Sequence, residues 1–189
     1  LPNIQFETHE FQEFKNSISS LIVKADEDFK LPAFIYKNVG FQLGKGGLHT
    51  EDSGLSIKSD DDWIIIDADV TSYYPSIIIN YKIKPEHFKD DSFNAIVTKL
   101  RDNRVEAKKR KDKVAAEGLK IVINSIFGKL GLETGFLYDE QAMISVTING
   151  QLFLLKLAEQ LMKYDWCMLD SGNTDGLTVR IRNNPRCIK

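Results

Sequence analysis

Cysteine is scarce in this chain: Cys167 and Cys187 are the only two among 189 residues. Two thiols form neither a disulfide framework nor a zinc-ligand pattern, and neither has a neighbour arranged for nucleophilic catalysis. A reducing cytoplasm is the expected compartment, that of a bacterial host if the source is a phage or prophage. Long apolar runs are missing too. Stretches such as Trp63 to Ile66 are far too short to span a membrane, and no signal peptide is visible. There is no internal repeat and no low-complexity tract. An excess of one charge is also lacking: the formal net charge of −2 gives no general attraction to polyanions. The chain opens Leu1-Pro2 without Met and stops soon after a predicted strand, so it is expected to be a piece of a longer protein.

What remains suits a globular domain with a sizeable core, or a domain with a small subdomain. Thr8 can cap an amphipathic helix to about Val23, with Phe11, Phe14, Ile18 and Leu21 on one side. "GKGGLHT" is a turn in which Gly44, Gly46 and Gly47 give the backbone freedom. Trp63 to Val70, "WIIIDADV", predicts a strand, and its apolar residues make it a central one. Pro75 fits the first turn of a short helix through Ile79. Charged helix Asp91 to Lys113 is followed by a second helix, Ala115 to Gly128, which Gly128 closes. Asp139 can cap a long helix from Glu140 to about Lys163. Trp166 to Leu169 and Leu177 to Arg182 predict two strands around "DSGNTDG". Strands beside long helices, without strict alternation, give the class α+β.

Asp67 and Asp69 are two apart on a predicted strand and share a face. A carboxylate at the end of a buried strand is costly unless paired or bound to metal. Asp175 lies in a turn between two strands, where a carboxylate can be aimed into a cleft. Such groups on neighbouring strands can hold a pair of Mg²⁺ ions for in-line displacement at phosphorus, at a spacing of about 3.5–4 Å. Each Asp taken alone reads equally as a cap, a turn former or an ion-pair partner.

The cations narrow the choice. Residues 99 to 113 carry eight Lys/Arg against three Asp/Glu. On a helical wheel Phe93, Val97 and Leu100 make an apolar stripe, and Arg104, Lys108 and Lys111 continue it. A solvated charge run would set its cations opposite that stripe. In the next helix Leu119, Val122 and Ile126, with Ala115, make the apolar face. Lys120, Asn124 and Phe127 share another side, where a cation, an amide and a ring can meet the phosphate, sugar and base of one nucleotide. They could also be plain surface residues, with Phe127 packed on the partner helix.

These residues match a known pattern. "DVTSYYPSI" (69 to 77) resembles the first palm motif of family B, polymerase-alpha-like DNA polymerases; "KIVINSIFG" (120 to 128) resembles their fingers motif, and "NTDG" (173 to 176) is similar to the second palm motif. "GKGGLHT" resembles the glycine pair between the exonuclease and polymerase domains of phage-type members, and "SVTINGQLFL" (145 to 154) resembles the helix before the last motif. The resemblance implies an antiparallel palm sheet flanked by helices with a short two-helix fingers subdomain. Its divisions are a leading segment over 1–40, palm over 41–90, fingers over 91–130 and palm again over 131–189. It implies DNA-directed DNA synthesis: Asp69 and Asp175, with the Val70 carbonyl, hold two Mg²⁺ ions, or Mn²⁺ in their place. Tyr74 lies under the sugar and rejects a 2′-hydroxyl, which disfavours an RNA polymerase or reverse transcriptase. Tyr73, Arg104, Lys108, Lys120, Asn124 and Phe127 serve the dNTP, and Gly46, Gly47, Thr174 and Gly128 serve the primer–template DNA. No membrane partner is implied. The family's exonuclease and thumb domains are absent from these residues.

Three positions depart from the pattern. Asn173 stands where the last motif begins with Asp, Gly176 where it has Ser, and Phe127 where the fingers motif has Tyr. Asp67 is an extra carboxylate with two open roles, support of a metal or an ion pair. Asn173 keeps a second reading open, a catalytically inactive remnant that binds DNA or nucleotide. His49 could touch a DNA phosphate or simply sit on the surface.

Overall fold

The computed structural model describes residues 4–21, 31–51 and 56–184. Five helices and six strands occur among them: α1 (His9–Ser19), β1 (Phe34–Tyr36), β2 (Val39–Gly44), β3 (Gly47–Thr50), β4 (Trp63–Asp69), α2 (Tyr73–Asn80), α3 (Ser92–Lys109), α4 (Lys113–Leu130), α5 (Glu140–Leu161), β5 (Cys167–Asn173) and β6 (Gly176–Arg182). The class is α+β, and the strands form one antiparallel sheet in the order β1-β2-β3-β5-β6-β4. The chain divides into two compact units, Leu1–Val70 with Ile148–Lys189, and Thr71–Thr147.

The first unit contains the sheet, α1 and the C-terminal part of α5. Phe11 is fully buried on α1 and packs edge-on against Phe34 and Tyr36, with ring centroids 4.7 and 4.9 Å away. Burying one such ring contributes about 2–3 kcal/mol. Helix α1 stops at Ser19, short of the expected end, and Leu21 is exposed rather than on the apolar face; Val23 lies outside the described residues. Thr8 stands at the N-cap, but its side-chain oxygen accepts no hydrogen bond from a helix N–H. Instead the Glu159 carboxylate of α5 accepts from its hydroxyl and backbone N–H and from the Glu7 N–H. Lys156 donates to the other Glu159 oxygen at 2.7 Å.

Strands β1 to β3 were not expected from the sequence. They are short, and β2 and β3 contain glycine, so the alternation of Phe41 and Leu43 inward is the main local signal. β4 forms as expected but at the sheet edge, not the centre. Its last four residues are exposed, so its apolar run does not report burial on both faces. The turn within "DSGNTDG" is also tighter than expected: β5 runs on to Asn173, leaving only Thr174 and Asp175 between the strands. β5 carries a register shift between Leu169 and Ser171.

The second unit holds α2, α3, α4 and the first turns of α5. The expected charged helix breaks after Lys109. Lys111 adopts a left-handed conformation (φ 59°), and the Asp112 carboxylate caps α4 by accepting from the Ala115 N–H at 3.0 Å. Helix α4 buries Ala116, Ile123 and Leu130, while Val122 points outward, so its apolar face is rotated from the one expected. Gly128 lies inside the helix and Gly131 caps it. Asp139 caps α5 as expected, accepting from the Ala142 N–H at 2.8 Å.

Candidate active site

At one end of the sheet the first unit gathers three chain segments. The β4–β6 register pairs Asp69 with Gly176, and the ladder runs one bond further, from the Val70 N–H to the Asp175 carbonyl at 2.9 Å. Strand pairing therefore brings the backbones of Asp69 and Asp175 side by side. Gly176 keeps the space between them open: a Cβ there would meet the Ala68 carbonyl oxygen at 3.0 Å and an Asp69 carboxylate oxygen at 3.4 Å. Thr174 sits in the left-handed region at φ 53°, an outlier for a β-branched residue and a strained way to aim a turn.

The glycine turn is the third segment. β2 and β3 pair Gly44 with Gly47, so Lys45 and Gly46 form a two-residue turn. Gly47 has φ 142°, and a Cβ there would approach the Thr174 side chain at 3.2 Å. The Thr174 N–H donates to the Leu48 carbonyl at 2.8 Å, tying the two turns together. Gly46, Gly47, Thr174, Asp175, Asp69 and Val70 therefore share one sheet end. The pairing of His49 with Asn173, and of Asn173 and Asp69 with Gly176, sets all of them in one cross-strand row on one face. Asp67, two residues back on that face, accepts a hydrogen bond from the Thr178 hydroxyl at 2.9 Å.

Among the described residues no lysine or arginine pairs with Asp69, which is exposed. No group of three or more His, Cys, Asp and Glu is gathered as a metal cluster among them. Asp69, Asp175 and the Val70 carbonyl offer hard oxygen donors, which suit Mg²⁺ with water and substrate oxygens completing its shell.

The second unit holds its own cluster. Ser72, the N-cap of α2, is left-handed at φ 56°. The Arg104 guanidinium of α3 donates to its hydroxyl. Arg104 is buried at 8% exposure, its Nε has no hydrogen-bond partner, and no carboxylate among the described residues pairs with it. A desolvated cation left without its counter-charge is costly, and a bound anion would relieve it. Tyr73 is buried at the start of α2 and stacks on Tyr74. Tyr74 stacks on Phe127 of α4 at 4.5 Å. Phe127 thus packs on α2, which neither sequence expectation for it named. Lys108, Lys120, Asn124 and Gly128 are exposed, and Lys120 lies 3.9 Å from Glu117. The apolar stripe of α3, Phe93 and Val97, does run on into Arg104, whereas Lys111 falls beyond the helix.

Sequence reasoning missed Gln151. It is buried at 1% exposure on α5, accepts from the Gly44 N–H and donates to the Gly44 carbonyl, both at 2.9 Å. An amide leading straight into the apolar run "QLFLL" was the available signal. Ser72 was missed as well; its left-handed backbone has no sequence signature.

No protein-family model matches the chain. Among curated proteins it is similar to DNA polymerase II of Escherichia coli (strain K12), at 26% identity with 62% of this chain covered. The chain spans 18% of the length of that relative. No helix among the described residues is long and apolar enough to cross a membrane.

Proposed function

We propose that this chain is a catalytic core of a family B DNA polymerase, comprising palm and short fingers and transferring nucleotides to a primer on a DNA template. The observation that carries the reading is the register that joins Asp69 to Gly176 and Val70 to Asp175, two carboxylate-bearing backbones at one sheet end. The similarity to a DNA polymerase and the uncompensated Arg104 point the same way.

In this reading the primer 3′-hydroxyl oxygen attacks the α-phosphorus of a dNTP, and pyrophosphate leaves with the electron pair of the broken bond. Asp69 and Asp175, with the Val70 carbonyl, would hold the metal ions. Two bound Mg²⁺ ions would supply charge neutralisation at the reacting phosphate. Arg104, Lys108 and Lys120 neutralise triphosphate oxygens, and Asn124 supports them. Tyr73 borders the triphosphate. Tyr74, braced by Phe127, excludes a ribose 2′-hydroxyl, and Gly128 lies near the nascent pair. Gly46, Gly47 and Thr174 face the DNA. The chain does this mostly by positioning and charge.

Primer extension by the full-length protein with Mg²⁺ tests the proposal. Asp69→Asn is expected to lower incorporation by at least about 10³-fold, and equal extension by both proteins would sink the reading. A second reading, binding without turnover, is favoured by Asn173, an amide in the row that holds Asp69. Salt-dependent primer–template binding by a wild type that extends no primer would select it.

A further inference from the structure

Helix α5 reaches the sheet end through one side chain. Gln151 is fully enclosed, and its amide closes a two-bond ring on the Gly44 backbone, 107 residues away in sequence. Gly44 is the last residue before the Lys45–Gly46 turn, and Gly47 is the first after it. From Gly47 the linkage passes to Thr174 through the Thr174 N–H to Leu48 bond, and Gly47 lies close enough to Thr174 that an added Cβ would come within 3.2 Å of its side chain. Thr174 immediately precedes Asp175.

Two further facts bear on what this linkage is for. A buried amide is tolerated only where its hydrogen bonds are made, so the Gln151–Gly44 geometry is tightly specified. Gly46, by contrast, is not required by the protein's own sterics. Its φ is not positive, and a Cβ there would meet nothing within 4 Å. An exposed turn tip, bare without internal need and held from below by a buried clamp, suits close passage of an external backbone.

We propose that Gln151 is a positioning residue for DNA: its amide clamps Gly44 and so fixes the Lys45–Gly46 turn against the Thr174–Asp175 turn, at the height where a nucleic-acid strand crosses the sheet end. The ligand's identity rests on the polymerase reading; the clamp itself does not.

Gln151→Met keeps the side-chain volume and removes both bonds. In the full-length protein it is expected to raise KM for primer–template about five- to tenfold, with KM for dNTP within twofold of wild type. Hydrogen exchange at the Lys45 to Leu48 amides should quicken. Gly47→Ala, strained at φ 142° and crowded by Thr174, should give the same split. The double variant should then cost less than the product of the two, because both act through one turn. Gly46→Ala should raise KM for DNA while melting at the wild-type temperature. An unchanged KM for primer–template in Gln151→Met, or multiplicative behaviour of the double variant, overturns the proposal, since a purely structural Gln151 would lower only the melting temperature. If the wild type extends no primer, the polymerase reading fails by itself. Dissociation constants for a labelled primer–template duplex then replace KM, with the same expectations and the same overturning results.

Discussion

The two compact units treat their charges in opposite ways. In the sheet-bearing unit the least exposed carboxylates are matched in place. Glu159 is held by Lys156, Thr8 and Glu7 backbone, Glu7 by Lys156 and Lys163, and Asp170 by Arg180 Nε at 2.8 Å. The exposed Asp69 at the sheet end has no such cation. In the helical unit the unmatched charge is positive and buried, on Arg104. A charge neutralised by its own fold can do little for a ligand. Left over in the sheet-bearing unit, the carboxylate of Asp69 suits a cation; left over in the helical unit, the guanidinium of Arg104 suits an anion.

This contrast can be broken at several points. After Asp69, the largest effect is expected at Arg104. Arg104→Met should raise KM for dNTP about 30- to 100-fold, the worth of a charge-assisted contact to phosphate. Its melting temperature should hold or rise, because an uncompensated buried charge is removed. A clear drop in melting temperature with an unchanged KM would make Arg104 a structural residue.

Glu159→Gln should behave in reverse. Urea unfolding should show a loss of about 2 kcal/mol, less than the roughly 3–5 kcal/mol of a fully buried pair because Lys156 keeps some access to water. Steady-state incorporation should be unaffected. The pH dependence sharpens this. Burial pushes the Glu159 carboxyl up, but Lys156 and the Thr8 and Glu7 donors outweigh it and leave it below its ordinary value. Lys163, Gln160 and Lys156 hold Glu7 down to about 2. Both folded values are depressed, so this stability is complete above the unfolded carboxylate range and is lost as pH falls toward about 2 for Glu7. Melting temperature measured from pH 7 to pH 3 should fall less steeply in Glu159→Gln than in wild type.

The smallest effect is expected at Thr178→Val, which removes the hydrogen bond to Asp67. A loss of about 0.5 kcal/mol in urea unfolding, with unchanged incorporation, would assign Asp67 to the strand ladder rather than to the metals.

Much of this was legible in the sequence where a local signal was strong. The Asp139 cap, the "WIIIDAD" strand and the turn that holds Asp175 between two strands all carry their geometry in consecutive residues. The failures share one cause. The edge position of β4, the existence of β1 to β3 and the rotation of the α4 apolar face depend on partners distant in sequence. Asp112 stopped α3 because a cap outweighed helix propensity in the lysines around it. Gln151 stayed hidden because an amide gives no sign of which backbone it will meet. Arg104 was legible as a departure from ordinary amphipathicity, but its contact with Ser72 was not.

One small irregularity in β5 reaches further than its size suggests. Before the register shift Leu169 pairs with Val179; after it Ser171 pairs with Thr178, so Asp170 is the unpaired extra residue. Strands count in twos. With an even count Leu169 and Gly172 could not both face inward, yet Leu169 is buried and so is Gly172 against Leu48 and Leu177. Asp170 changes the parity, and everything downstream inherits the change. Asn173 faces out beside the Asp69 row, and the turn that carries Asp175 is delivered on the correct side. Deleting Asp170 would leave Ser171 opposite Thr178 and every later face unchanged, whereas a strand that kept Asp170 but lost the bulge would present every later residue reversed, an error of arithmetic rather than of chemistry.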